Sequence, residues 1–247
     1  MPVSSFLGAA AFAGRTVVLV GGGSGIGLAV ARLVVTAGGT VVLGGRNADK
    51  LASAAADLGT SARWQVIDTS RQQTIDAFFE NLTTVHGLFT TAATYVTGPM
   101  AELSVDAAAT AFESKFWGQY RVVKTALPLL SPDSSIVLMS GAASTRPAAA
   151  APAYSAANAA IEGLARGLAV ELAPIRVNAI APGTVDGNLW AQRDPAVRQA
   201  AFDFYRAAST LGRIATEDEI AQSVVYLLLN TATTGSTIFP DGGYSFR

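Results

Sequence analysis

The first residues with chemical potential are a cluster of glycines. Thr16–Gly27 reads TVVLVGGGSGIG, an apolar run that breaks into glycine and continues as the amphipathic stretch LAVARLVV. Gly21, Gly25 and Gly27, spaced Gly-x-x-x-Gly-x-Gly, let a backbone turn sharply at the end of a buried strand and come close to a pyrophosphate. The helix that follows aims its free N–H groups and positive dipole end at that anion. The spacing is not the Gly-x-Gly-x-x-Gly of many dinucleotide folds, and a glycine cluster alone equally describes a tight, closely packed turn. The strand before it and the helix after it favour the anion site.

Those glycines need a frame. Short apolar runs alternate with helical stretches along the chain. Strands are expected at Thr16–Val20, Thr40–Leu43, Ala62–Ile67, Gly87–Thr91, Ser135–Ser140, Arg176–Ala181 and Ser236–Phe239, the first six reading as buried on both faces. Helices are expected near 25–37, 48–57, 71–82, 105–130, 153–173 and 217–229. This alternation predicts an α/β fold: a single-domain, Rossmann-type, doubly wound parallel sheet of about seven strands, with right-handed crossovers and helices on both faces. No linker, repeat or charge block divides residues 1–247. Residues 187–212, weakly periodic and carrying Trp190, Phe202, Phe204 and Tyr205, would fall beyond a strand's carboxyl end and are read as a substrate lid.

Composition narrows the function classes. Half of the 247 residues are apolar and 14% are charged, the net charge is −1 and no Lys/Arg cluster occurs, which argues against nucleic acid as a partner. Cys is absent, so disulfides and cysteine-ligated metals are excluded, and a single His without a carboxylate cluster argues against any metal site. His86 is read as capping a strand entry. The mildly apolar start MPVSSFLGAAAFAG has no positive residue ahead of it, unlike a secretory signal, and no run of apolar residues is long enough to span a membrane. The expected setting is cytoplasmic.

Five segments in order carry a family resemblance: VGGGSGIG at Val20–Gly27, Asp68 after the third strand, YSAANAAIEGLARGLAVELAPIRVNAIAPG at Tyr154–Gly183, LGRIATEDEIAQSVVYLL at Leu211–Leu228, and FPDGGYS at Phe239–Ser245. Together they resemble the short-chain dehydrogenase/reductase family over almost the whole length. The resemblance implies an NAD(P)-dependent oxidoreductase that acts on an alcohol or carbonyl, as a homotetramer or as a dimer of the helices at 105–130 and 153–173. It implies cofactor contacts from Gly21, Ser24, Gly25, Ile26, Gly27, Arg46, Asn47, Asp68, Thr69, Ala92, Pro182, Gly183 and Val185. The family's NAD enzymes place Asp at the end of the second strand. Here that position is Gly45 and Arg46 follows, whose guanidinium can fork onto a 2′-phosphate, so NADP(H) is expected, with NAD(H) as the alternative.

The resemblance also implies a Tyr acid, a Ser that orients the substrate oxygen, a Lys four residues after the Tyr and an Asn on an earlier helix. Tyr154 matches the acid. Asn158 stands where the family has Lys, and Lys115 where it has Asn, so the two have exchanged places: Lys115 is expected to reach Tyr154 from the facing helix and Asn158 to bond the ribose or a water. The Ser is expected to be Ser140, with Ser144 as substitute, although the family's spacing lands on Gly141. Asn-Asn-Ala-Gly is replaced by Thr90–Ala93, and a Thr that touches the cofactor phosphates by Gly187. Tyr95, Trp117, Trp190 and Phe202 are candidates for a substrate pocket suited to bulky, uncharged carbonyls. The expectation is a carbonyl reductase or alcohol dehydrogenase. Its alternative is a weak or inactive relative acting as a dinucleotide sensor or assembly module.

Overall fold

Apolar runs of β-branched residues form the strands of this protein, and a central sheet collects them. The computed structural model describes residues 8–91, 93–147 and 149–246, the side chains at 188 and 189 excepted. In chain order the elements are β1 (Thr16–Val20), α1 (Gly25–Thr36), β2 (Thr40–Gly45), α2 (Ala48–Leu58), β3 (Ala62–Val66), α3 (Gln72–Phe79), β4 (Val85–Thr90) and α4 (Val105–Ala111). A π-helical turn (Phe112–Trp117) then leads into α5 (Gly118–Ala126), β5 (Leu130–Met139), α6 (Pro152–Glu171), β6 (Arg176–Ile180), β7 (Val185–Asp186) and α7 (Asn188–Ala191). The chain closes with α8 (Pro195–Ala208), β8 (Ala215–Thr216), α9 (Glu217–Leu229) and β9 (Thr237–Ile238). Seven strands form one parallel sheet in the order β3-β2-β1-β4-β5-β6-β9, and β7 pairs with β8 beside it.

Alternation along β1 sends successive side chains to opposite faces, and both are buried. Val17 and Leu19 pack with Val30 and Val34 of α1 and Ile220 and Val224 of α9. Val18 and Val20 pack with Phe78 of α3, Val122 of α5 and Ile161 of α6. This is the doubly wound arrangement expected from the sequence. β5 starts at Leu130, five residues ahead of its expectation, and β3 differs in burial: its Trp64 and Val66 are 41% and 42% exposed. β3 has a neighbour on one side only, so its hydrophobic run does not mark a two-sided core strand.

Polar groups fix the strand ends. The Thr16 N–H donates to His86 Nδ1 at 3.1 Å, so His86 does receive the entry of β1. Arg176, buried on β6, donates to the carbonyls of Leu227, Leu228 and Asn230 and closes the C-terminus of α9, where a cation also meets the helix dipole. Gln119 of α5 pairs with the Met139 backbone in both directions, at 3.0 and 2.9 Å, pinning α5 to the end of β5.

The expected single helix over 105–130 is four pieces. An α-helix gives way to a π turn, which rotates the residues after it, and Leu127–Leu129 is a 3₁₀ turn. In the π turn Lys115 is buried while Trp117 is 44% exposed. The sheet order reverses between β1 and β4, the switch point where such sheets open a crevice beyond the strands' carboxyl ends.

Candidate active site

The glycine turn sits at that switch point. Gly21 has φ 98°, open to glycine at little cost, and its N–H donates to the Gly44 carbonyl at 2.8 Å. A Cβ on Gly27 would overlap the Gly21 carbonyl oxygen, so only glycine lets α1 start this close to the strand end. Ser24 makes no side-chain cap on α1 and the first turn carries no acidic residue, which leaves its amides open to an anion. Across the crevice, Thr90 Oγ1 at the end of β4 is buried with no hydrogen-bond partner among the described residues. A cradle closed to any Cβ, uncapped helix amides and an orphaned hydroxyl together fit a dinucleotide.

The other expected cofactor residues fall around this crevice with different occupations. Ile26 packs against the core on the α1 face. A Cβ on Gly45 would meet nothing nearer than Leu51 at 3.6 Å, so packing would admit an acidic side chain that the sequence does not supply. Arg46 is exposed and donates to Thr94 Oγ1 at 2.9 Å. Asn47 caps α2 by accepting from the Lys50 N–H at 2.9 Å, a structural use that the sequence did not separate from a cofactor contact. Asp68 Oδ1 accepts from the Ser70 amide and hydroxyl, and these bonds, ahead of the charges of Arg46 and Arg71, hold its carboxyl below the ordinary 3.8. Thr69 packs where a Cβ on Gly118 would press on its hydroxyl. The Pro182 carbonyl accepts from Ala142, Gly183 lies against Asp241, and Val185 opens β7. Ala92 lies outside the described residues.

Tyr154 enters from the first turn of α6, after Pro152 at its start. The Lys115 Nζ stands 5.2 Å from the centroid of the Tyr154 ring and donates to the Ser140 carbonyl at 3.0 Å. Burial brings the Lys115 ammonium below its ordinary 10.5. Burial pushes the Tyr154 phenol up, but the Lys115 charge and hydroxyl contacts with Tyr95 and Asn158 outweigh it and leave the phenol below 10.0. Asn158, one turn along α6, donates to the Tyr154 carbonyl at 3.0 Å, and its Oδ1 is buried without a hydrogen-bond partner among the described residues. The structure therefore brings Tyr154, Lys115 and Asn158 together.

Ser140 is placed differently from its expectation. Its single hydroxyl proton is shared between the Asn158 carbonyl, at 2.9 Å, and Glu162 Oε1, at 3.0 Å, tying the end of β5 to α6. The position facing the phenol is Gly141, where a Cβ would lie 3.4 Å from the Tyr154 hydroxyl. The family's spacing locates the site, and no extra loop residue moves Ser140 into it. Ser144 turns its hydroxyl to Thr145, at 3.4 Å.

The four expected pocket aromatics also separate. Tyr95 stacks on Tyr154, with centroids 4.5 Å apart and rings inclined by 27°. Trp117 instead joins Phe116 and Tyr120 in an exposed cluster, turned outward by the π turn that turns Lys115 inward. Phe202 is buried in α8 under Trp190, at 5.7 Å, and under the Arg198 and Arg206 guanidinium groups, which makes it core of the 187–212 segment. Arg146 anchors that segment, donating to the carbonyls of Ala208 and Tyr244.

One acidic group escaped the sequence reading. Glu217 opens α9, and its carboxylate occupies the space a Cβ on Gly187 would take, 3.1 Å from where one on Gly25 would lie. It fills the place of the family's phosphate-contacting Thr. The run Thr216–Glu219 signals only a helix start, and its capping box between Thr216 and Glu219 is present. Spacing gives no hint that the residue between them reaches the glycine turn.

Residues 21–245 match the protein family described as enoyl-(acyl carrier protein) reductase. The short-chain dehydrogenase/reductase malC of Malbranchea aurantiaca is 29% identical over 95% of this chain and 96% of its own. The chain belongs to the short-chain dehydrogenase/reductase family. Like other members of that family, it is an oxidoreductase that acts on CH–OH or C=O groups and binds a nicotinamide dinucleotide. The cis-4-hydroxycyclohexanecarboxylate dehydrogenase of Sinomonas cyclohexanicum is 33% identical over 95% of this chain and 98% of its own. The MalC reductase/Diels-Alderase structure superposes with a TM-score of 0.89 at 27% identity, covering 97% and 99% of the two chains. An NADPH-bound short-chain oxidoreductase from Pseudomonas aeruginosa PAO1, described as containing an atypical catalytic center, superposes with a TM-score of 0.87 at 29% identity, covering 96% and 98%. Among the described residues there is no metal-binding cluster and no helix long and apolar enough to cross a membrane.

Proposed function

We propose that this protein is an NADP(H)-dependent carbonyl reductase for bulky, uncharged ketones or aldehydes, with Lys115 and Asn158 in exchanged roles. The observation that carries this reading is the buried Lys115 ammonium over the Tyr154 ring, on the opposite helix from the family's lysine. The amides of the Gly21–Gly27 turn would hold the pyrophosphate, Arg46 the 2′-phosphate, and the orphaned Asn158 Oδ1 a ribose hydroxyl or a water. The bound coenzyme supplies the hydride. Tyr154 gives its hydroxyl proton to the oxygen as negative charge develops there. Lys115 keeps the resulting phenolate accessible by stabilising its charge. Reduction starts from the neutral phenol, which carries the proton to be given. Residues 187–212 act as the lid of a single domain, and the working assembly is a homotetramer or homodimer in the cytoplasm.

The test is NADPH and NADH binding by calorimetry beside coenzyme consumption with a panel of aryl and cyclic ketones. Turnover with NADPH, and a loss of roughly 10- to 100-fold in NADPH affinity for Arg46→Ala with NADH affinity unmoved, is the expected result, as a charge-assisted bond to phosphate is worth about 1.5–3 kcal/mol. NADPH binding with no turnover on any ketone would favour a dinucleotide sensor instead.

A further inference from the structure

Among the described residues, neither Ser140 nor Ser144 hydrogen-bonds to the phenol that gives the proton. Gly141 faces that phenol with extended backbone, φ 178°, which any residue adopts, so the glycine answers no conformational need. A side chain there would point at the Tyr154 hydroxyl, 3.4 Å from its Cβ, and at Asn158 Oδ1, 3.2 Å away. Ser140, the neighbouring hydroxyl, is committed to Asn158 and Glu162. A carbonyl oxygen held by one phenol alone is poorly fixed, because a single donor leaves its direction free and supplies half the usual oxyanion stabilisation.

A second hydroxyl approaches from another element. Tyr95 comes from the loop after β4, and its ring lies nearly parallel to that of Tyr154 at 4.5 Å. Stacking sets the two phenols against one another, close enough that each shifts the acidity of the other. We propose that Tyr95 is the orienting residue of this site: its hydroxyl donates to the substrate oxygen together with Tyr154, in the role that a serine at position 141 would fill. The proposal rests on the reductase reading above and deepens it.

The environments of the two phenols are complementary. Burial, then the Tyr154 charge, raises Tyr95 far above the ordinary phenol value, while Tyr154 is lowered. Titratable pairs pushed apart in this way divide the labour between a group that exchanges its proton and one that keeps it. In reduction the hydride adds to the carbonyl carbon, the C=O π pair moves to oxygen, and the Tyr154 proton completes the alcohol. Tyr95 O–H remains intact and only donates a hydrogen bond. Lys115 faces the pair from the π turn, Asn158 from α6, and Arg193 and Tyr205 act on it from the 187–212 segment.

The experiment is a cycle of wild type, Tyr95→Phe, Gly141→Ser and the double variant, read with the best ketone of the panel and by ultraviolet titration of phenolate in the coenzyme-free protein. Tyr95→Phe keeps the ring stack and is expected to lower kcat by about 100- to 1,000-fold, as loss of one oxyanion donor does, with coenzyme affinity within about twofold of wild type. Adding Gly141→Ser is expected to recover at least about tenfold of that loss, since its Cβ aims at the Tyr154 hydroxyl and the Asn158 amide has to give by only a few tenths of an ångström. The lowest phenolate titration is expected to move upward in Tyr95→Phe, a readout that needs no turnover. Wild-type kcat in Tyr95→Phe would overturn the assignment, as would a loss that Gly141→Ser does not recover together with an unmoved titration. Absence of turnover in wild type itself would overturn the reductase reading and the role of Tyr95 in it, and is distinguishable because it precedes any substitution.

Discussion

At the scale of single residues, the charge on Lys115 has a consequence that pH can read. The ammonium holds the Tyr154 phenol below its ordinary value. In the proposed reaction, reduction uses the protonated phenol, so its rate is expected to be highest below that pKa and to fall as pH rises through it. Alcohol oxidation uses the phenolate and runs the opposite way. Lys115→Met removes the charge without removing the packing. Both limbs should then shift to higher pH, and oxidation at neutral pH should fall by about 100-fold or more, the usual worth of a tuned general base. Coenzyme affinity should change much less. Stopped-flow pH profiles of both directions check this, and profiles that superpose with wild type would remove Lys115 from the reaction. The closeness of Lys115 and Asn158 to Tyr154 was legible in sequence because spacing on α6 and the position before Gly118 are rigid markers. Ser140 was misplaced because two adjacent residues at a strand end face opposite ways, and a single loop residue decides which faces the site.

At the scale of elements, two helix starts meet at the glycine turn. α1 offers uncapped amides, while α9 brings in Glu217 beside Gly25 and Gly187. Two unit charges about 5 Å apart repel by roughly 1–3 kcal/mol at effective dielectric constants between bulk water and a protein surface. A carboxylate so placed weakens binding of a pyrophosphate, and Glu217→Gln keeps its shape while removing its charge. The variant is expected to bind NADPH about fivefold or more tightly by calorimetry, with a weaker dependence on salt. Unchanged affinity would show that the side chain turns away when the coenzyme enters. The helices themselves were legible: α1, α2, α6 and α9 lie within a residue or two of their sequence expectations because caps, prolines and glycines mark their ends. The π turn was not, since an extra residue in a helical ladder leaves the apolar period almost unchanged while rotating everything after it. That rotation is what separates Lys115, buried, from Trp117, exposed.

At the scale of the whole molecule, the alternating order of strands and helices was enough to give the sheet, because buried parallel strands and right-handed crossovers leave few topologies. Assembly is different, since it depends on surfaces that one chain cannot test. α6 carries such a surface: a Cβ on Gly167 would meet nothing within 4 Å, one on Gly163 would meet only the Arg166 guanidinium at 3.9 Å, and Val170 is 81% exposed. Glycine in a helix interior costs about 0.5–1 kcal/mol relative to alanine, a cost with no return inside this subunit. Close approach of a second copy of α6 would supply the return. Gly167→Glu separates the two cases, because the isolated subunit has space for the side chain and gains helix propensity. If α6 pairs between subunits, the variant should lose assembly mass in light scattering while its far-ultraviolet circular dichroism stays native. An assembly of wild-type mass with Glu at that position would move the subunit contact to another face, and the exposed ring cluster of Phe116, Trp117 and Tyr120 would be the next surface to charge.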